Sequence, residues 1–279
     1  MSLALLIRTG DEARTADRLT DSTFVVDVEL VSAAAANVDD VTALGGGLWR
    51  LRDANRDSFG FAALTLPDAV AVVGYRGPSN ILLILNEQSR VVAAQLVSSD
   101  DTPEHVDAVL KDEFFFQQFN GWTLGNPDSF TRVDATSGAT LTSLAIAEAI
   151  AVRLGSEKPS LRFPDDLDAA DLMTVFDAPV GLTITPIDGL EAKVVDGNGN
   201  EIGRLVRTGP LVDSLAGYQG PSEVIMVLDV GGNIQKLALR RTYDNRPYVD
   251  YLNDEPWFWR TFQEKKLHQL ATMNLEEER

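Results

Sequence analysis

The stretch GYRGPSNILLIL, residues 74–85, recurs as GYQGPSEVIMVL, residues 217–228. Both copies begin with a Gly/Pro turn and continue into a run of aliphatic residues that is typical of a buried strand. The same offset of 143 positions relates SFGFAALT, residues 58–65, to EIGRLVRT, residues 201–208. A gap-free match of this length indicates one structural module used twice rather than a short solenoid repeat.

Each copy is predicted to contain an antiparallel meander. A strand, a polar turn and a second strand form a hairpin, and the buried aliphatic strand and one further strand follow it. The predicted strands of the first copy are Leu48–Arg52, a strand ending at Thr65, ILLIL at 81–85 and VVAAQLV at 91–97. Those of the second copy are Ala192–Val195, a strand ending at Thr208, VIMVL at 224–228 and IQKLALR at 234–240.

An aromatic-rich helix is predicted to follow each meander. Phe115 and Phe119 in the first copy, like Phe258 and Phe262 in the second, are four positions apart and would share one helix face. Core packing is the simplest interpretation of these aromatic residues. Before the first copy, FVVDVEL at 24–30 reads as a strand. Antiparallel strands with helices to one side define an α+β fold with two tandem modules.

The two copies also define the expected domains. Residues 155–172, GSEKPSLRFPDDLDAADL, combine two prolines with dense charge, as a domain connector does. We expect an N-terminal segment and first module at 1–155, a connector at 156–182 and a second module at 183–279. At the offset of 143 positions, the counterpart of SGAT would begin just after Arg279. The second module is therefore expected to be incomplete. Either the chain is cut before a second motif or that copy has lost it, and the missing stop signal at Leu275–Arg279 favours the first.

Composition excludes several classes of partner and site. The 42 acidic and 24 basic residues give a formal net charge of −18, which argues against nucleic acid and anionic membrane surfaces as direct partners. Without cysteine, the chain has no disulfide, Cys-ligated zinc or iron–sulfur cluster. His105 and His268 stand in unlike surroundings and no G-x-S-x-G motif accompanies them, so a serine triad is not indicated. No apolar run is long enough for a transmembrane helix, and MSLALLI lacks the basic region of a signal peptide.

The stretch VDATSGATLTSLAIAEAI, residues 133–150, contains the strongest candidate site. Apolar residues recur at helical spacing from Leu141 to Leu154, so SGATLTS should lie at a helix N-terminus. Unpaired backbone N–H groups and the helix dipole favour an anion there, and Gly138 permits a tight backbone. From the residues alone, two interpretations stay open: one hydroxyl merely caps the helix, or the segment binds a phosphate group.

The segment Asp134–Thr140, DATSGAT, resembles the D-x-x-S/T-G-A-S/T signal of the FMN-binding domain family, whose members carry covalently bound flavin. In that family a FAD-dependent flavin transferase moves FMN onto the last residue of the signal through a phosphoester bond. The resemblance therefore implies that Thr140 carries the flavin. It also implies that the remaining residues of the motif serve recognition and cofactor binding, namely Asp134, Ser137, Gly138, Ala139, Leu141 and Thr142.

Two further stretches of the first copy are similar to the same family. The Gly/Pro turn resembles the family's G-Y-G-G-P, and Asp101–Glu104 stands where the family often has E-T-P-G, with two departures. The resemblance implies that the isoalloxazine ring is lined by the turn and by the facing loop, through Tyr75, Gly77 and Pro78 and through Thr102 and Pro103. The alternative is a turn that only shapes the sheet, because the second copy keeps the same turn at Tyr218–Pro221.

Two such modules in tandem resemble the N-terminal extracytoplasmic region of the NosR/NirI-type regulators of nitrous oxide reductase expression. Those are membrane proteins with a cytoplasmic iron–sulfur region. The resemblance implies a periplasmic portion of a longer protein, with covalent FMN as cofactor and the flavin transferase and the membrane-embedded iron–sulfur region as partners. The expected role is electron transfer or regulation in support of denitrification, rather than turnover as an enzyme. The alternatives are a flavin-free interaction module and a reductase that binds FMN non-covalently, although no G-x-G-x-x-G fingerprint for a nicotinamide cofactor is present.

Overall fold

Each half of the chain forms a five-stranded antiparallel sheet with helices, which confirms the predicted α+β class. The structure is a computed structural model that describes residues 25–155, 161–176, 180–209, 211–213 and 215–274. The chain divides into two units between Leu161 and Arg162. The sequence features noted at MSLALLI and at Leu275–Arg279 lie outside the described residues.

In the first unit the five strands lie side by side in chain order. Its strands are β1 (Asp40–Gly45), β2 (Leu48–Arg52), β3 (Ser58–Leu64), β4 (Ser79–Leu85) and β5 (Val91–Ser99). Its helices are α1 (Val28–Ser32), α2 (Pro103–Lys111) and α3 (Thr140–Arg153), with short 3₁₀ turns at Phe116–Phe119 and Pro127–Ser129.

The second unit has the same strand order, and its elements follow those of the first at the offset seen in the sequence. Its strands are β6 (Thr183–Pro186), β7 (Glu191–Val195), β8 (Glu201–Arg207), β9 (Ser222–Asp229) and β10 (Ile234–Thr242). Its helices are α4 (Ala169–Val175), α5 (Arg246–Asn253), α6 (Pro256–Arg260) and α7 (Leu267–Leu270). Helix α4 lies within the range expected to be a connector, and its Leu172 and Val175 pack against the second sheet.

Two local predictions were wrong, and one strand of each sheet was not predicted. Residues 28–32 form helix α1 rather than a strand, because the Asp27 side chain accepts a hydrogen bond from the Leu30 N–H and caps the helix. The first strand of each sheet was missed, since β1 lies at an edge with mostly exposed residues and therefore lacks an alternating apolar pattern. The aromatic residues of the first copy lie in a 3₁₀ turn, and the α-helix, α2, comes before them.

The core of the first unit lies on both faces of its sheet. Strand β4 is buried along its whole length because α3 and the aromatic segment cover one face and α1 covers the other. Phe115 and Phe119 are fully buried and their rings meet edge to face at 5.4 Å, as core packing requires.

Helix α3 is tied to the sheet at its C-terminal end by Arg153. The guanidinium donates from Nε to the Leu64 carbonyl at 2.8 Å and from Nη2 to the carbonyls of Gly46 and Gly47, both at 3.1 Å. Both glycines lie in the turn between β1 and β2 and have positive φ, which glycine adopts without strain. The Arg153 side chain therefore joins the end of α3 both to this turn and to β3.

The second unit contains a buried ionic cluster where the first unit has Leu64, Asn80 and Val97. Arg207 donates to Glu223 at 2.5 Å, and Arg240 contacts both Glu223 and Asp171. Burial raises the pKa of Glu223, while the two guanidinium groups act in the opposite direction. Pairing with both arginines therefore offsets part of the cost of burying this carboxylate.

None of the helices in the described residues combines the length and the apolar character needed to span a bilayer.

Candidate functional site

The carboxylate of Asp101 joins three of the segments that the sequence singled out. Its Oδ2 accepts hydrogen bonds from the Tyr75 N–H at 3.0 Å and from the Thr142 hydroxyl at 2.7 Å. Its Oδ1 accepts from the Arg76 N–H at 2.8 Å and from the Thr102 N–H at 2.7 Å. The Gly/Pro turn, the loop after β5 and the first turn of α3 therefore meet at one buried side chain.

Glycine is needed at two positions of the Gly/Pro turn because side-chain and backbone atoms of neighbouring segments lie against them. A Cβ atom at Gly74 would lie 2.1 Å from Asp101 Oδ2 and 3.2 Å from Thr142 Cα. A Cβ atom at Gly77 would lie 2.7 Å from both the Cβ and the carbonyl oxygen of Asp100. The turn thus packs directly on the end of β5 and on the start of α3.

The four hydroxyls of SGATLTS divide into two pairs. The Thr142 hydroxyl is bonded to Asp101, and the Ser143 hydroxyl donates to the Thr140 carbonyl while accepting from the Thr136 N–H. The hydroxyls of Ser137, which is exposed, and Thr140, which is half-buried, have no protein partner among the described residues. The fold therefore uses two hydroxyls and leaves two for a ligand.

Helix α3 begins as predicted within SGATLTS, but no side chain caps it. Its N-cap residue is Ala139, which cannot accept a hydrogen bond through its side chain. The first backbone bond of the helix runs from the Ser143 N–H to the Ala139 carbonyl. Within the described part of the chain, the N–H groups of the three preceding residues, Thr140 to Thr142, have no acceptor. These groups and the helix dipole make this end of α3 suited to an anion such as a phosphate.

The segment leading into α3 is held at several points. Gln118 donates from Nε2 to the Asp134 carbonyl at 3.1 Å and accepts from the Asp134 N–H at 2.7 Å. The Thr136 hydroxyl donates to Asp112 at 3.0 Å. Gly138 has φ of +79°, a conformation that glycine adopts without strain. The exposed Asp134 is thus fixed through its backbone.

The loops expected to line the flavin ring differ in accessibility. The Tyr75 ring is half-buried and meets the His105 ring edge to face at 4.9 Å. Pro78 is buried, and its carbonyl accepts from the Asp100 N–H, so this end of the turn also shapes the sheet. Thr102 is the N-cap of α2 and Pro103 its exposed first residue. That these loops contact the isoalloxazine ring stays a prediction.

Sequence reasoning missed the role of Asp101, which it treated only as part of a loop motif. A signal was present, because the internal repeat places Asp244 at the corresponding position. Asp244 accepts hydrogen bonds from the Tyr218 and Gln219 N–H groups, as Asp101 does from Tyr75 and Arg76. An acidic residue kept at this point in both copies indicates a structural role in the turn.

Replacing Asp101 with Ala should loosen the whole site. Four donors lose a charged acceptor, and we expect the first unit to lose about 3 kcal/mol of stability. Hydrogen–deuterium exchange at the amides of Tyr75, Arg76 and Thr102 should rise markedly. Asp244→Ala is the matched control. Its effect should be smaller because Asp244 is only half-buried and, among the described residues, no helix hydroxyl donates to it. Unchanged exchange in Asp101→Ala would contradict the assigned role.

In the described residues, His, Asp and Glu side chains form no group of three that could hold a metal ion. The site is thus an uncapped helix end with free hydroxyls, fixed by Asp101 next to a glycine turn.

A comparison with curated proteins gave no match. A comparison with protein families shows that residues 74–154, which include all the predicted site residues, match the model of the FMN-binding domain family, and this supports a flavin-carrying function for the first unit.

Proposed function

We propose that the first unit carries FMN attached covalently to Thr140 and acts as an electron-carrying or regulatory domain rather than as an enzyme. The proposal rests on which hydroxyls of SGATLTS are hydrogen-bonded within the protein. Thr142 and Ser143 are engaged by the fold, whereas Thr140 stands unpaired at the first turn of α3 beside three unpaired N–H groups. A phosphate on Thr140 would lie where those groups favour negative charge.

Attachment would proceed by substitution at phosphorus. The Thr140 oxygen attacks the FMN phosphorus of FAD, the bond to the bridging oxygen breaks, AMP leaves, and the hydroxyl proton is released. Threonine has no intrinsic reactivity toward FAD, so this step needs a flavin transferase. Asp134, Ser137 and Gly138 are proposed as its recognition elements, since all three are exposed and their segment is held in one conformation. The bound flavin supplies the redox chemistry, and the protein positions it.

The wider role rests on the resemblance of the tandem arrangement to the NosR/NirI-type regulators. We infer from it an extracytoplasmic location, a membrane-embedded iron–sulfur region as redox partner and a role in supporting nitrous oxide reduction. The second unit would be an FMN-binding-like module, because it repeats the strand order and the Gly/Pro turn of the first unit.

Mass spectrometry of protein produced together with a flavin transferase tests the proposal. The expected result is an intact mass increased by FMN less one water, with the adduct on a peptide that contains Thr140. Flavin that is released on denaturation would instead indicate a non-covalent flavoprotein. Absence of flavin, despite modification of a known acceptor domain in the same cells, would indicate a flavin-free interaction module.

A further inference from the structure

His105 lies in the first turn of α2, directly beside the Gly/Pro turn. Its half-buried imidazole meets the Tyr75 ring edge to face, with the ring centroids 4.9 Å apart. The two ring nitrogens differ in their surroundings. Nδ1 is buried without a hydrogen-bond partner, whereas Nε2 is not buried and has no protein partner in the described part of the chain. Nε2 is therefore the nitrogen that a bound group can reach.

The buried nitrogen determines where the neutral imidazole carries its proton. A buried N–H donor without an acceptor loses its whole hydrogen bond to water, and such donors are rarer in folded proteins than acceptors with an unpaired lone pair. The proton of the neutral ring is therefore assigned to Nε2. His105 thus presents an N–H donor at its accessible end.

Asp101 connects the helix that carries this donor to the helix that would carry the flavin. Its carboxylate accepts hydrogen bonds from the Tyr75 N–H, from the N–H at the start of α2 and from the Thr142 hydroxyl in the first turn of α3. Thr140 belongs to the same turn as Thr142. The first turns of two helices therefore converge on one side chain, with His105 on one and Thr140 on the other.

The second unit shows that the ring contact by itself does not require a histidine. At the offset of 143 positions, Tyr218 and Tyr248 correspond to Tyr75 and His105. Their rings also lie against each other, with centroids 5.3 Å apart. The aromatic pair is thus kept with a phenol in place of the imidazole. Packing therefore accounts for a ring at position 105 but not for its nitrogen.

We propose that the His105 Nε2–H donates a hydrogen bond to an acceptor atom of the isoalloxazine ring and raises its reduction potential. The inference rests on the proposed attachment of FMN to Thr140. Reduction by electrons from a redox partner places negative charge on the nitrogen and carbonyl acceptors of the ring. A donor at such an atom stabilises the reduced form more than the oxidised form. The protons taken up on reduction come from water, and His105 keeps its own.

Potentiometric titration of the flavin-loaded chain at one fixed pH tests this role. His105→Phe keeps a ring against Tyr75 but removes the donor, so the ratio of reduced to oxidised flavin at a given ambient potential should fall about tenfold. His105→Gln removes the ring, but its side-chain amide can donate from nearly the position of Nε2, so most of the parental potential should return. His268→Phe makes the same change at an exposed histidine of α7 and should leave the potential unchanged.

Two measurements on the same proteins make the comparison valid. Peptide mapping establishes equal FMN loading on Thr140, and thermal unfolding of the unmodified variants verifies that they fold. A parental potential in loaded His105→Phe, or an equal fall in His105→Gln, would overturn the role of the donor. Parent protein without an adduct on Thr140 would instead overturn the proposed function, and this inference with it.

Discussion

Protein in which Thr140 is replaced by Ala should carry no covalent flavin when it is produced with a flavin transferase. The substitution removes the hydroxyl that we propose as the acceptor of the phosphoester, so in-gel flavin fluorescence and the mass adduct should both disappear. The fold should be unaffected, because the Thr140 hydroxyl has no partner in the described structure and the helix N-cap is Ala139. Thermal unfolding of the unmodified proteins should therefore coincide.

Two other substitutions separate loss of the acceptor from loss of recognition. Thr140→Ser keeps a hydroxyl at the same position and should restore the adduct. Thr174→Ala removes an exposed hydroxyl from helix α4 and should leave flavin incorporation at the parental level. Fluorescence that persists in Thr140→Ala would show that another residue is modified, and peptide mapping would then be directed first at Ser137.

Replacing Glu223 with Ala should destabilise the second unit by about 3–5 kcal/mol, because two buried guanidinium groups would lose their shared counter-ion. The Glu223 side chain is fully buried, and those of Arg207 and Arg240 are 2% and 6% exposed. Chemical denaturation would measure the loss of stability, and hydrogen exchange at the amides of β8 and β9 would show that the loss lies in this sheet.

Glu201→Ala is the matched control for Glu223→Ala. Glu201 also pairs with two cations, Lys193 and Arg204, and it lies on the same strand as Arg207. The side chains of Glu201, Lys193 and Arg204 are each exposed to water by about a third or more. Removing the Glu201 carboxylate should therefore change the stability little. Equal losses in the two variants would show that burial does not determine the strength of the ionic cluster.

The parts of the fold that could be predicted are those with a local signal. The internal repeat located both sheets, and the helical spacing after Leu141 placed the start of α3 within one residue of its observed position. Edge strands β1 and β6 were missed because neither buries a continuous side, so no periodicity marks them. Helix α1 was misread because the capping bond from Leu30 to Asp27 outweighs the β propensity of its valines.

The site could be predicted as a motif but not as an arrangement. SGATLTS indicates a helix end with hydroxyls, yet which of them are free depends on Asp101 and Thr136, which come from elsewhere in the chain. Asp101 bonds Tyr75 across 26 positions and Thr142 across 41 positions of sequence. Contacts of that range follow from tertiary packing, so one sequence by itself carries no direct record of them.

The fixation of α3 at both ends has a mechanical consequence for any group carried on its first turn. Thr142 holds the helix at one end through Asp101, and Arg153 holds it at the other through the turn between β1 and β2. The helix can neither slide nor tilt without breaking one of these attachments. A cofactor on Thr140 would therefore rotate about a fixed point of attachment. Its distance of approach to a redox partner would be set by the length of the chain that links its ring to Thr140.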